Sequence, residues 1–131
     1  MKVKICVVIS TYNEDITNEL YNSAKIELNK SGIKKFDVFK VPGAFEIPVT
    51  ISKLSKKYDG FIAIGCIIKG QTFNFDLISS AITNGIMKIS IDQKKPIGNS
   101  ILTLFNKEQG NQRYDRGKEA ARAVLEILKI K

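Results

Sequence analysis

The chain alternates between two periods of apolar and polar positions. Val3 to Ser10, VKICVVIS, is a β-branched run ending in the turn-like Thr11-Tyr12-Asn13, the pattern of a buried strand. Ile16, Leu20, Ala24 and Leu28 then recur every four residues until Ser31-Gly32, which predicts a helix that Asp15 can cap. Lys35 to Val41 alternates imperfectly, but its length and its Val and Phe content predict a second strand, closed by Pro42-Gly43. From Ala44 to Lys57 the spacing of Phe45, Ile47, Ile51 and Leu54 is helical. Pro48 fits only in the first turn, where its missing N–H is not needed, so that helix starts near Phe45. Phe61 to Ile68, FIAIGCII, is apolar throughout and of strand length, the pattern of a central parallel strand. Phe75 to Ile91 predicts a third helix, Pro96 to Thr103 a fourth strand, and Gln112 to Ile130 a closing helix with Ala120, Val124, Leu125 and Leu128 on one face.

Strand and helix alternate four times, with connections short enough for right-handed crossovers. This predicts an open α/β sandwich whose parallel sheet is covered on both faces. Such sheets bind ligands beyond the carboxyl ends of their strands. Those ends are Thr11-Tyr12-Asn13-Glu14, the segment Val41 to Glu46, Lys69-Gly70-Gln71-Thr72 and whatever follows Thr103. The length, 131 residues, predicts a single domain over 1–131.

Composition narrows the chemistry. With 44% hydrophobic and 26% charged residues the chain reads as a soluble globular protein, and no apolar stretch is long enough to span a bilayer. A cytoplasmic location is expected. Cys6 and Cys66 each lie inside an apolar run without metal-ligand spacing, and there is no histidine, so neither a disulfide framework nor a metal site is expected. The net charge of +8 comes from lysines scattered along the chain, without the aromatic interleaving of single-strand binders, so no nucleic-acid or membrane partner is expected. The only arginines, Arg113, Arg116 and Arg122, sit near the C-terminus. Arginine is the better fork for phosphate, which makes that group a candidate anion ligand.

At the strand ends, Gly70 permits a tight turn and Thr72 can cap the next helix, leaving N–H groups at a positive dipole end. Lys69 beside them adds a charge. Taken alone this is a small anion cradle or a plain cap. The segment Val41-Pro42-Gly43-Ala44-Phe45-Glu46-Ile47-Pro48 is stiffened by two prolines. It is either a rigid turn with Phe45 in the core or a backbone that reads a polar ligand. Tyr12 is a stacking surface or a rim residue. VVISTYNE resembles the first strand of nucleotide-sugar glycosyltransferases, but the chain has no D-x-D and is too short for donor and acceptor halves. A phospho-receiver domain needs an aspartate at the end of the third strand, where this chain has Ile67-Ile68-Lys69-Gly70.

Taken in order, TYNE, VPGAFEIP, YDGFIAIGCIIKGQTFNFD, NGIM, PIGNSILT and the terminal NKEQ to RGKEAA resemble the 6,7-dimethyl-8-ribityllumazine synthase family over nearly the whole chain. The resemblance implies a three-layer α/β/α sandwich with a four-stranded, mainly parallel, flavodoxin-like sheet. It implies the joining of 5-amino-6-ribitylamino-uracil to 3,4-dihydroxy-2-butanone 4-phosphate, with release of phosphate and water and with no cofactor. Position by position, Tyr12 matches the aromatic that stacks on the pyrimidine, with Asn13 after it. Gly43, Ala44, Phe45 and Glu46 match the turn that contacts the ribityl chain. Ile67 and Ile68 match residues whose backbone reads the uracil edge, and Gly70, Gln71 and Thr72 match the phosphate loop. Arg113 matches the arginine that completes phosphate binding. The family places this site between adjacent subunits of a pentamer, so Arg113 and Asn99 are expected to serve a neighbouring chain's site.

The chain departs from the family pattern at several positions. Lys69 replaces the usual arginine, Asn99 stands where many members have phenylalanine, and the span from Arg113 to Gly117 is short, which leaves Arg116 as an alternative phosphate ligand. Most consequential is Asn74, at the position of the family's proton-moving histidine. An imidazole with a pKa of about 6.5 exchanges protons near neutrality, whereas an amide only donates and accepts hydrogen bonds. General acid–base help is worth roughly a hundred- to ten-thousandfold, so its loss slows such a reaction without forbidding it. Amine and ketone react when held together, and Lys69, phosphate or water can carry protons. A non-catalytic relative that binds lumazine or flavin, or builds a shell, is the other expectation.

Overall fold

A computed structural model describes residues 2–131. Four strands and four helices alternate: β1 (Ile5–Ser10), α1 (Glu14–Lys30), β2 (Asp37–Val41), α2 (Ile47–Leu54), β3 (Gly60–Ile68), α3 (Phe75–Gln93), β4 (Ile97–Leu104) and α4 (Asp115–Leu128), with 3-10 turns at Ala44–Glu46 and Lys107–Gln112. The sheet order is β2-β1-β3-β4 and every pairing is parallel. This is the open α/β sandwich the alternation predicts, in the three-layer, flavodoxin-like form the resemblance implies.

Why β3 reads as an unbroken apolar run is clear from its surroundings. All nine of its residues are buried, because helices cover both faces. Ile62, Ile64, Cys66 and Ile68 pack toward Leu20, Ala24 and Leu28 of α1 and Ala120, Ala121 and Val124 of α4. Phe61, Ala63 and Ile67 pack toward Ile47 and Ile51 of α2 and Ile82 and Ile86 of α3. The edge strands are half-covered instead. In β4, Gly98, Ser100, Leu102 and Leu104 are buried while the residues between them are more open.

Two glycines set how closely the helices approach on the α1–α4 side. A methyl on Gly117 would lie 2.0 Å from the carbonyl oxygen of Leu20, and one on Gly98 would lie 2.4 Å from that of Ala120. The backbone N–H of Lys118 donates to Ser23 Oγ at 2.9 Å across the same seam, and Arg122 Nε meets Glu27 Oε2 at 2.9 Å. Among the described residues no helix is long and apolar enough to cross a membrane.

Several boundaries differ from the periodicity. β1 and β2 begin two residues late, at Ile5 and Asp37. Asp15 does not cap α1. The cap position is Asn13, in the left-handed region at φ 64°, and Asp15 lies in the first turn, where its carboxylate pairs with Lys107 Nζ at 2.8 Å. The segment read as one helix from Ala44 opens instead as a 3-10 turn before Ile47, with Pro48 in the first α-turn as its missing N–H requires. The closing helix starts at Asp115 rather than Gln112. The residues before it form a 3-10 turn capped by Asn106 and pressed by Gly110 against Ile16.

Candidate functional site

β1 pairs with β3 only as far as Ile9 opposite Ile64, after which β1 turns toward β2: Thr11 N–H donates to the Val41 carbonyl at 2.8 Å and Tyr12 N–H to that of Pro42 at 3.0 Å. β3 continues for four more residues, Gly65 to Ile68, paired on its other side with Ile101 to Leu104 of β4. The result is a notch between the end of β1 and the last residues of β3, at the point where the chain order of the sheet reverses. Open α/β sheets bind ligands there. The backbone of Ile68 borders the notch on the side that β4 does not pair, while that of Ile67 faces β4 in the ladder that Lys69 N–H extends, and their side chains are buried on opposite faces. The Ile68 carbonyl at this edge is already taken by Gln71 N–H, which leaves the Ile68 N–H to meet a flat polar ring.

Small residues keep the notch floor close-packed. Gly65 faces Ser10 Oγ, Ala44 and Ile47, each of which would lie 3.1–3.3 Å from a methyl placed there. The Ser10 hydroxyl is buried and without a partner among the described residues. One wall is the turn Gly43-Ala44-Phe45-Glu46, held by a hydrogen bond from Gly43 N–H to Glu46 Oε1 at 2.9 Å. Ala44 is buried, but the Phe45 ring is 60% exposed. The alternative with Phe45 in the core is thereby corrected: the turn buries Ala44 and Ile47 and presents Phe45 outward. Tyr12, whose N–H bonds the Pro42 carbonyl just before that turn, is 54% exposed, with its ring available for stacking.

The loop after β3 turns at Gly70, whose φ of 95° suits glycine, and Lys69 bridges to Thr72. Gln71 N–H donates to the Ile68 carbonyl at 3.1 Å, and Asn13 Nδ2 donates to Gln71 Oε1 at 3.3 Å. Thr72 does not cap α3. The cap position is Asn74, at φ 57° and ψ 54°, and its side chain makes no capping bond. Asparagine tolerates the left-handed region, which lets the chain turn into the helix while leaving the amide free. Phe73 beside it is 89% exposed. Lys69 Nζ lies 5.5 Å from the centroid of Phe105, the residue after β4, a neighbour that no motif in the chain singles out.

Among the described residues, neither Asn99 nor Arg113 is bonded to the residues of this notch. Asn99 lies mid-β4, opposite Ala63, with Oδ1 accepting from Ile101 N–H at 3.0 Å on the exposed side. Arg113 follows the 3-10 turn that packs on Ile16 of α1, and among the described residues no hydrogen bond or ion pair links it to the loop from Lys69 to Asn74. Its guanidinium has no carboxylate partner among the described residues, whereas Arg116 pairs with Glu119 at 3.7 Å and Arg122 with Glu27 at 2.9 Å.

The chemistry available is binding and hydrogen bonding rather than nucleophilic attack. Burial pushes the Cys66 thiol up to about 11, so the one thiol at the end of β3 stays protonated near neutrality. Burial, with the Asp37 charge adding to it, pushes Cys6 up to about 12.

Comparison with known proteins gives the family. Residues 2–131 match the sequence profile of 6,7-dimethyl-8-ribityllumazine synthase. The chain is similar to the 6,7-dimethyl-8-ribityllumazine synthase of Albidiferax ferrireducens, with 38% identity over 134 residues covering 98% of this chain and 85% of the relative. The enzyme of that name from Thermococcus kodakarensis is 36% identical over 98% of this chain and 86% of its own, and that from Afipia carboxidovorans 34% over 98% and 85%.

Proposed function

The chain belongs to the 6,7-dimethyl-8-ribityllumazine synthase family, and from that membership we propose that it condenses 5-amino-6-ribitylamino-uracil with 3,4-dihydroxy-2-butanone 4-phosphate without an imidazole at its site. The observation that carries the reading is the notch at the β1–β3 switch point, bordered by the end of β3 at Ile68, the Gly43–Glu46 turn and the Gly70–Thr72 loop.

The pyrimidine lies against the Tyr12 ring, its uracil edge read at the end of β3, where the Ile68 backbone faces the notch and Ile67 anchors that end to β4. Its ribityl chain runs along Gly43, Ala44, Phe45 and Glu46, where the Glu46 carboxylate already accepts from Gly43 N–H and has lone pairs left for hydroxyls. Gln71 is steadied by Asn13, so that Gly70, Gln71 and Thr72 present a settled loop to the phosphate, with Lys69 supplying charge. The amine attacks the ketone, water leaves as an imine forms, phosphate departs, and ring closure releases a second water. Each step moves protons, but none requires a covalent bond to the protein. Holding amine and ketone at reacting distance supplies much of the acceleration. Asn74, with a free amide at the mouth of α3, orients substrate or a water by hydrogen bonds.

Arg113 and Asn99 serve the notch of a neighbouring chain, and the working form is a homopentamer or a multiple of it. What supports this is the position of Asn99 in mid-β4, away from the strand ends, together with the Arg113 guanidinium, which has no carboxylate partner among the described residues. The reading also takes the chain as a single cytoplasmic domain. Product formation faster than the spontaneous condensation of the two substrates tests it. A chain that binds the product yet adds nothing to the spontaneous rate is the non-catalytic relative instead.

A further inference from the structure

We infer that Phe105 is a positioning residue, whose ring holds the Lys69 ammonium at the mouth of the phosphate loop and gives a flexible lysine the direction that an arginine fork carries by itself. The inference rests on reading Gly70-Gln71-Thr72 as a phosphate cradle. Lys69 Nζ stands 5.5 Å from the Phe105 centroid, inside the roughly 6 Å over which a cation is drawn to a ring face.

The backbone makes this meeting a consequence of the sheet. Lys69 N–H donates to the Leu104 carbonyl at 2.8 Å, extending the β3–β4 ladder by one step, so Lys69 and Phe105 leave adjacent strand ends side by side. Ile68 and Leu104 both point into the α1–α4 core, and period-two alternation turns the next residue of each strand to the α2–α3 side. There the Phe105 ring meets Phe75, in the first turn of α3, at a centroid distance of 6.4 Å, and Phe105 N–H is tied to Gln109 Oε1 at 2.8 Å. The ring is braced from two directions while 66% of the residue remains open to solvent.

Lys69 is also left without an acid to neutralise it. Lys88, Lys107 and Lys129 each pair with a carboxylate within 3.2 Å, but Lys69 has no such partner among the described residues. A lysine ammonium is a point charge on a four-carbon stem, and an arginine at this place would bring a planar fork with its geometry built in. A ring face beneath the stem restricts where the charge goes without consuming it. The ligand that fits is a phosphate monoester, or the inorganic phosphate that the condensation releases.

Titration of the assembled protein with inorganic phosphate tests this, using wild type, Phe105→Leu, Phe105→Tyr, Lys69→Ala and the Lys69→Ala/Phe105→Leu double variant. Leucine keeps apolar bulk against Phe75 but has no ring face. Phe105→Leu should weaken phosphate binding about two- to fivefold. Phe105→Tyr should bind as wild type does, and Phe105→Leu should add no further loss in the Lys69→Ala variant. KM for the four-carbon sugar phosphate should rise by the same factor, with kcat and KM for the pyrimidine steady. Should the leucine variant not assemble, Phe105→Trp replaces it and is expected to tighten binding, tryptophan being the stronger cation partner. An equal loss from Phe105→Leu with and without the Lys69→Ala change, or no loss in Phe105→Leu, overturns the inference. A wild type that does not bind phosphate overturns it together with the cradle. A wild type that binds phosphate but forms no product overturns the functional reading alone, and the phosphate titration still decides the role of Phe105.

Discussion

The side-chain amide of Asn13 donates to Oε1 of Gln71 at 3.3 Å, joining the turn after β1 to the loop after β3 across the mouth of the notch. Both partners lie on segments that regular secondary structure does not hold. Asn13 also occupies the left-handed region, which glycine accepts without strain, so Asn13→Gly removes the amide and keeps the backbone. Steady-state kinetics should show kcat/KM lower by about fivefold, the worth of one neutral hydrogen bond of about 1 kcal/mol, with the unfolding midpoint little changed. An unaltered kcat/KM would show that the loop holds its shape without this link.

Asn74 shares that backbone conformation, and histidine, like asparagine, is enriched there. Asn74→His should therefore assemble normally and raise turnover near neutral pH by about tenfold or more, with a new limb in the pH–rate profile around the imidazole pKa of about 6.5. Asn74→Ala should lose about 1–2 kcal/mol of stability, because an alanine side chain is strained at positive φ. A rate in Asn74→His equal to or below wild type would show that the site moves its protons by another route.

The contact of Gly117 with Leu20 is the tightest on the α1–α4 seam, with a methyl placed 2.0 Å from a backbone oxygen that cannot swing aside. Gly117→Ala should destabilise the fold by about 3 kcal/mol or more, read as a lower denaturant midpoint at unchanged slope. A loss below about 1 kcal/mol would mean that the helices separate easily.

Tyr58 is buried with its hydroxyl donating to Asp37 Oδ2 at 2.5 Å, and that bond, with burial, pushes its pKa up to about 12 from an ordinary 10.0. The raised value means the folded chain holds this proton more tightly than the unfolded one. Its contribution to stability is intact below pH 10 and is lost as pH rises from there toward about 12. Denaturant unfolding at neutral and alkaline pH should show a steeper decline in wild type than in Tyr58→Phe. Parallel declines would assign the loss to other groups, such as the buried Cys6 thiol, whose pKa is also about 12.

The difference between the legible and the illegible features is one of range. FIAIGCII can be read as a central strand because burial on both faces leaves no polar position in it, and the α1 stripe because a single packed face imposes its period. The strand ends that form the notch follow from topology. Helix starts are harder to read: Asp15 and Thr72 have the chemistry of side-chain caps, but asparagines in the left-handed region make both turns instead. Phe45 carries no local mark that separates a core ring from an exposed one. Its fate is set by Ala44 and Ile47 taking the space beside Gly65. The meeting of Lys69 with Phe105 depends on strand register across the whole of α3 and β4, which no local pattern carries.

Arg113 and Arg116 stand close together in the chain, but among the described residues only Arg116 of the two is engaged by a carboxylate. Arg113→Ala should raise KM for the sugar phosphate by about tenfold or more, the loss expected for a charge-assisted contact, while Arg116→Ala changes it little. If the site is shared, co-assembling Arg113→Ala chains with Thr72→Ala chains should raise activity at low sugar phosphate above that of either variant alone. Absence of recovery in a mixed oligomer would place both residues in one chain's site.

The most direct measurement is the rate of 6,7-dimethyl-8-ribityllumazine formation when the assembled wild-type protein meets both substrates, followed against the same mixture without protein. The proposed function predicts a rate above the spontaneous one that saturates in each substrate and falls sharply in Arg113→Ala. A rate indistinguishable from the protein-free mixture, in an oligomer that still binds the product, would contradict it.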